Sequence, residues 1–120
     1  PSGTNFGVRN EQPVATFEYL IKALDRFNLA YIHLIEPQRE AIANLPHYLS
    51  NVTAHFRPFI RTALITSAGY TFQSAEKAVQ EGKADLVAFG KLFISNPDLV
   101  ERYKKDLPLA PYDTASFYGG

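Results

Sequence analysis

The chain has 120 residues, 46% hydrophobic and 20% charged, the balance of one small soluble domain or a piece of a larger one. Twelve basic residues offset twelve acidic ones, which favours neither a nucleic-acid backbone nor an anionic membrane as partner. Without cysteine, a disulfide framework, a thiolate metal site and a cysteine nucleophile are excluded.

The chain opens at Pro1 with no signal-peptide pattern, and no apolar run approaches the roughly 20 residues that span a bilayer. A cytoplasmic setting is therefore expected. The sequence holds no methionine, so the expectation is a chain processed, cleaved or separated from a longer one.

The first periodic segment starts at Pro13, whose missing N–H suits a first helical position. Val14, Phe17, Leu20, Ile21, Leu24 and Phe27 fall on one stripe, predicting a helix over about 13–28. Leu29-Ala30-Tyr31-Ile32-His33-Leu34-Ile35 comes next as a strand, with Tyr31, His33 and Ile35 on one face and Ile32 and Leu34 on the other. The stretch from Glu36 to Ser50, with Pro37 and Pro46, reads as a long loop. A short helix over about 52–60 is limited by Pro58.

Residues 63–67 (Ala-Leu-Ile-Thr-Ser) and 85–89 (Asp-Leu-Val-Ala-Phe) carry little polar alternation, as parallel strands covered on both faces do. Between them Thr71 is an N-cap candidate, Phe72, Ala75, Ala78 and Val79 form an apolar stripe, and Gly82 is a stop. A last helix is predicted with Asn96 as N-cap, Pro97 at its first position, Asp98 near the dipole, and Leu99, Val100 and Tyr103 inward. Strands alternating with helices imply parallel crossovers. Three such strands leave unpaired edges, and a complete (β/α)8 barrel needs about 250 residues. The expected fold is α/β, residues 1–120 forming part of a (β/α)8 barrel that is incomplete alone and is either completed by another segment or cut from one.

Two strand ends carry chemistry. Ser67-Ala68-Gly69-Tyr70-Thr71 runs from the second strand into a helix, and Gly90-Lys91 comes directly after the third. Glycine after a strand lets backbone N–H groups approach a ligand, and a helix start favours an anion. Lys91 adds a positive charge, and the last two βα loops of such barrels often hold phosphate. Taken singly, each glycine reads as loop geometry and Lys91 as a solvated charge; together they point to one phosphate.

The run from Ala84 to Leu99, containing Phe89-Gly90-Lys91-Leu92-Phe93-Ile94-Ser95-Asn96-Pro97-Asp98, resembles the last barrel strand of the Old Yellow Enzyme family. Leu107-Pro108-Leu109, Tyr112-Asp113 and Phe117-Tyr118-Gly119-Gly120 are similar to the family's C-terminal segment beyond that strand. Residues 29–37, ending in Glu36-Pro37, resemble the family's sixth strand, Ser67-Ala68-Gly69-Tyr70 its seventh, and Pro1-Ser2-Gly3 the segment past its fifth. The resemblance implies a reductase with FMN as cofactor that takes hydride from NAD(P)H and reduces activated C=C bonds of α,β-unsaturated carbonyl compounds. It further implies that Ala68, Gly69 and Tyr70 contact the FMN phosphate and ribityl end through their backbones, and that Gly90 and Lys91 complete the cradle. Phe117 would pack near the dimethylbenzene edge, and Tyr118 would border the substrate.

One departure is Lys91, where the family usually has arginine; lysine keeps the charge and loses the bidentate fork. The family's substrate-oxygen ligands, its proton-donating tyrosine and its arginine near the flavin pyrimidine come from earlier strands. No catalytic residue is therefore assigned in this chain, which is expected to be inactive alone and to need the remaining N-terminal barrel segment as partner.

Other residues read as structural. His33 reads as a satisfied core histidine, and His33, His47 and His55 are too scattered for a metal site. Glu36 reads as a loop holder, Arg57 and Arg61 as charges on a solvated helix face, and Tyr112-Asp113 as turn and packing. Two alternatives stay open: a non-catalytic barrel fragment that needs a complementing chain, and a different phosphate-binding barrel enzyme with a non-flavin ligand.

Overall fold

Three strands, β1 (Tyr31–Ile35), β2 (Ala63–Ser67) and β3 (Leu86–Ala88), form one sheet in that order with both pairings parallel. They belong to a computed structural model of the chain that describes residues 9–118. The expected Pro1-Ser2-Gly3 and Gly119-Gly120 features lie outside the described residues. Tyr31 pairs with Ala63 and Ile35 with Ser67, while Ser67 also pairs with Ala88, so β2 and β3 end level with one another. The outer strands are shorter than their apolar runs. Before β1, the carbonyls of Leu29 and Ala30 accept from the Thr62 hydroxyl (2.6 and 3.3 Å).

The chain divides into two compact units, Pro1–Ala88 and Phe89–Gly120. In the first, helix α1 (Pro13–Leu24) starts on Pro13 as expected and tightens into a 3-10 turn over Asp25–Phe27. Asn28, left-handed at φ 50°, stops it. Ile21 is buried, and Phe17 and Leu24 pack against the core, but Leu20 and Phe27 stay exposed. Leu20 lies about 100° around the helix from Ile21, and the 3-10 turn rotates Phe27 off the stripe.

The expected loop after β1 contains one helical turn, α2 (Arg39–Ile42), which buries Ile42. Helix α3 (Val52–Phe56) is capped by the Asn51 side chain, which accepts from Ala54 N–H (3.0 Å), and Pro58 confines its continuation to a 3-10 turn, Arg57–Phe59. Ile32 and Leu34 of β1 and Leu64 of β2 pack with Ile21, Val52, Phe56, Ile60 and Ala84 in one core. Helix α4 (Phe72–Gln80) begins with a reciprocal Thr71–Ser74 capping box and stops before Gly82 at φ 68°. Its small residues Ala75 and Ala78 are buried, whereas Phe72 and Val79 of the expected stripe remain at the surface.

The opposite sheet face is open. Parallel register puts Tyr31, His33 and Ile35 beside Ile65, Ser67, Leu86 and Ala88, and Tyr31, Ile35 and Leu86 are 56%, 49% and 55% exposed. On this face the residues of β2 are half-buried and the exposed ones belong to β1 and β3, the outer strands of an incomplete barrel.

In the second unit, α5 (Lys91–Ser95) and α6 (Leu99–Lys104) precede a 3-10 turn over Thr114–Ser116. Asn96 is not the N-cap of α6. It ends α5, almost fully buried, and its amide donates to the Leu92 and Ala110 carbonyls (both 3.0 Å) while its oxygen accepts from Ala110 N–H (2.8 Å). An asparagine that satisfies both ends of its amide this way fixes a loop crossing, a role local sequence does not reveal. Asp98 takes the cap position, and its carboxylate accepts from Arg102 (2.7 Å). Leu99 is buried, and Val100 is exposed, contrary to the expected inward position.

Candidate functional site

Two consecutive residues leave β2 in the left-handed region, Ala68 at φ 73° and Gly69 at φ 75°. Glycine accepts this freely, whereas alanine is strained there by about 1–2 kcal/mol. No hydrogen bond among the described residues takes the N–H of Ala68 or Gly69. The residues on either side are tied down. Ser67 Oγ lies 3.0 Å from His33 Nε2, and the Tyr70 hydroxyl lies 3.3 Å from Thr66 Oγ1. Thr66 Oγ1 is in turn 2.6 Å from Thr53 Oγ1, both threonines being buried.

This turn forms one wall of a cleft of about 490 Å³. Ala68, Gly69, Tyr70 and Ser74 face the loop after β1, including Gln38 and Arg39, and the start of α3 at Asn51. Glu36 holds the floor together: its two carboxylate oxygens accept from the N–H groups of Val52 and Thr53, each at 2.8 Å. It thus acts as the loop holder expected of it. Arg39, Asn51 and Ser74 carried no signal in the sequence, because three loops distant along the chain build the cleft.

Gly90 and Lys91 stand at the start of α5, with Gly90 at the N-cap position and φ −100°. Neither its backbone nor any neighbour demands glycine, for a Cβ there would meet only open space. The exposed Lys91 ammonium sits 5.5 Å over the Tyr112 ring. Tyr112 neighbours Phe117 (6.0 Å between centroids), and Phe117 neighbours Tyr118 (6.5 Å), which is fully exposed. The fold thus joins Lys91 to Phe117 and Tyr118 through Tyr112. Asp113 caps the Thr114–Ser116 turn by accepting from Ala115 N–H (2.9 Å).

The charges expected to be solvated are paired. Arg57 donates to Asp85 (2.7 Å), and Asp85 also accepts from Leu64 N–H (2.7 Å). That backbone bond first, and the guanidinium second, hold the Asp85 carboxyl below its ordinary range. Arg61 binds Asp25 and lowers that carboxyl likewise. His55 meets Glu18 at 2.9 Å, and His47 packs edge-on to Tyr48. His33 is exposed rather than a core histidine, because its face of the sheet is uncovered. Among the described residues, no group of three or more His, Asp or Glu is placed to hold a metal, and no helix is long and apolar enough to cross a membrane.

Residues 7–110 match the NADH:flavin oxidoreductase / NADH oxidase family. The chain belongs to this family. It is 36% identical over 110 residues to 12-oxophytodienoate reductase 1 of Oryza sativa subsp. japonica, covering 91% of this chain and 29% of that protein. To 12-oxophytodienoate reductase 2 of Arabidopsis thaliana it is 32% identical over 106 residues, covering 88% of this chain and 28% of that one. Among solved structures, morphinone reductase superposes with a TM-score of 0.85 at 36% identity, over 100% of this chain and 32% of that chain. The old yellow enzyme from Trypanosoma cruzi gives 0.85 at 31%, over 98% and 30%. The chain thus spans about a third or less of the proteins it matches, and its three parallel strands are part of the Old Yellow Enzyme barrel. FMN is the family's cofactor, and morphinone reductase has been seen in complex with the nicotinamide analogue tetrahydroNAD.

Proposed function

We propose that this chain is the phosphate-holding C-terminal part of an FMN-dependent reductase that takes hydride from NAD(P)H and reduces the C=C bond of α,β-unsaturated carbonyl compounds. The observation that carries the reading is the pair of left-handed residues Ala68 and Gly69, whose free N–H groups lie at the carboxyl end of a central parallel strand. Successive free amides of this kind form a concave anion receptor. Ser67 is in register with Ala88, so the chain leaves β2 and β3 at the same edge of the sheet, and Gly90 and Lys91 come directly after. The unfilled space at Gly90 is the room a closely approaching ligand needs.

In this reading the backbones of Ala68, Gly69, Tyr70 and Gly90 donate to the FMN phosphate and ribityl end, and Lys91 supplies countercharge. Phe117 packs near the dimethylbenzene edge, and Tyr118 borders the substrate. The bound flavin supplies the hydride chemistry, and the protein supplies position and electrostatics. No residue of this chain is given a catalytic role. The unpaired edges of β1 and β3 take the remaining strands of the barrel, whose side chains close over Tyr31, Ile35 and Leu86, and without them the chain has little or no reductase activity.

Lys91→Ala tests the reading. A lost charge-assisted contact to phosphate is worth about 1.5–3 kcal/mol, so in a completed barrel FMN affinity by fluorescence quenching should fall roughly tenfold or more. Unchanged affinity removes Lys91 from the site.

A further inference from the structure

We infer that His33 is a positioning residue for the Ala68–Gly69 turn: through Ser67 it fixes the direction in which the two free N–H groups point. The inference rests on the phosphate reading above and adds to it a residue that touches neither phosphate nor flavin.

His33 sits in the middle of β1 in register with Ile65, yet its Nε2 reaches Ser67 Oγ, one pleat further along β2 (3.0 Å). This is a diagonal cross-strand pair, within reach only of a long side chain. The bond lies on the exposed face of the sheet, where a single hydrogen bond contributes little net stability. What it determines is geometry. Ser67 is the last residue of β2 and immediately precedes Ala68, and an alanine in the left-handed region persists only when its neighbours over-determine it.

The far side of the turn is held on the other face. Tyr70 bonds to Thr66, and Thr66 to Thr53 inside the core. The two residues with free N–H groups are therefore bracketed by side-chain bonds from opposite faces of one sheet. Thr53 and Thr66 are buried and serve the core as well; His33 is exposed, and Ser67 is the one described residue whose hydrogen bond to its ring is present. Either imidazole tautomer suits the contact, since the serine hydroxyl donates or accepts.

The test uses the chain assembled with the remaining barrel segment and carrying His33→Ala, His33→Gln, Ser67→Ala or the double change, alongside Lys91→Ala. The readouts are melting temperature, the amide resonances of Ala68 and Gly69, and titrations with FMN, riboflavin and inorganic phosphate. His33→Ala and Ser67→Ala should each weaken FMN and phosphate binding about tenfold, as expected for a misdirected donor pair. Both should shift or broaden the two resonances and leave riboflavin binding and melting temperature unchanged. The double variant should lose no more than either single one, and His33→Gln, which can still reach Ser67, should restore binding. If Lys91→Ala weakens FMN while the His33 variants do not, the positioning role is wrong and the phosphate site stands. If the His33 variants lower melting temperature and all ligands equally, the residue is merely structural. Absence of FMN binding to the unaltered chain assembled with the remaining barrel segment overturns the phosphate reading and this inference with it.

Discussion

Ile32, Leu34 and Leu64 on one face of the sheet are buried, whereas Tyr31, Ile35 and Leu86 on the other are about half exposed, although both sets are large and apolar. The difference comes from how far along the chain the covering residues lie. Ile21 of α1 and Val52 and Phe56 of α3 flank β1 in sequence and close the first face. The second face belongs to the interior of a (β/α)8 barrel, which side chains from strands all round the barrel fill together. A segment about 30% as long as its structural relatives can finish the first task but not the second.

The sharpest way to break this contrast is to cut one large residue from each face. Phe56→Ala should destabilise the chain by about 3–5 kcal/mol in urea unfolding, because it empties a fully buried site. Leu86→Ala should change stability by less than about 0.5 kcal/mol, since half of that side chain already meets water. Equal losses would mean that the open face is packed in solution.

A smaller effect is expected where a charge supports the covered face. Asp85→Ala strips the acceptor from the N–H of fully buried Leu64 and should cost about 1–2 kcal/mol. The folded-state carboxyl titrates below its ordinary 3.8, so its stabilisation is complete above that pH and is lost as pH falls through the lower folded value. The gap between wild type and Asp85→Ala should therefore be full at pH 7 and shrink in acid, read from urea midpoints across the range.

The smallest effect lies just past the carboxyl end of the central strand. Ala68→Gly relieves the left-handed strain but frees the unfolded chain, and should raise stability by roughly 0.5 kcal/mol. A clear loss would show that the methyl group is itself packed.

Much of this was legible from residue order. The three strands, the Pro13 start, the Thr71 cap and the Gly82 stop arise from local chemistry: a ring without N–H, a hydroxyl three residues from an amide, a residue without Cβ. Exposure along the stripes was less legible. Leu20, Phe27, Val79 and Val100 fit a helical period yet face water, because periodicity marks a face without saying whether anything stands opposite it. Asn96 misled for a related reason. The residue type suits an N-cap, but Ala110, fourteen positions away, offered its amide a better-satisfied place.

By itself, then, the sequence determined the βα order, the strand ends carrying Ala68-Gly69-Tyr70 and Gly90-Lys91, and the family, since each is written in contiguous residues. Only the tertiary structure decided that Ala68 is left-handed, that His33 holds Ser67, that Glu36 ties down α3, and that one sheet face stays open. These depend on groups brought together from distant positions. Alanine carries no mark of the conformation its neighbours impose, and histidine none of the partner it will find.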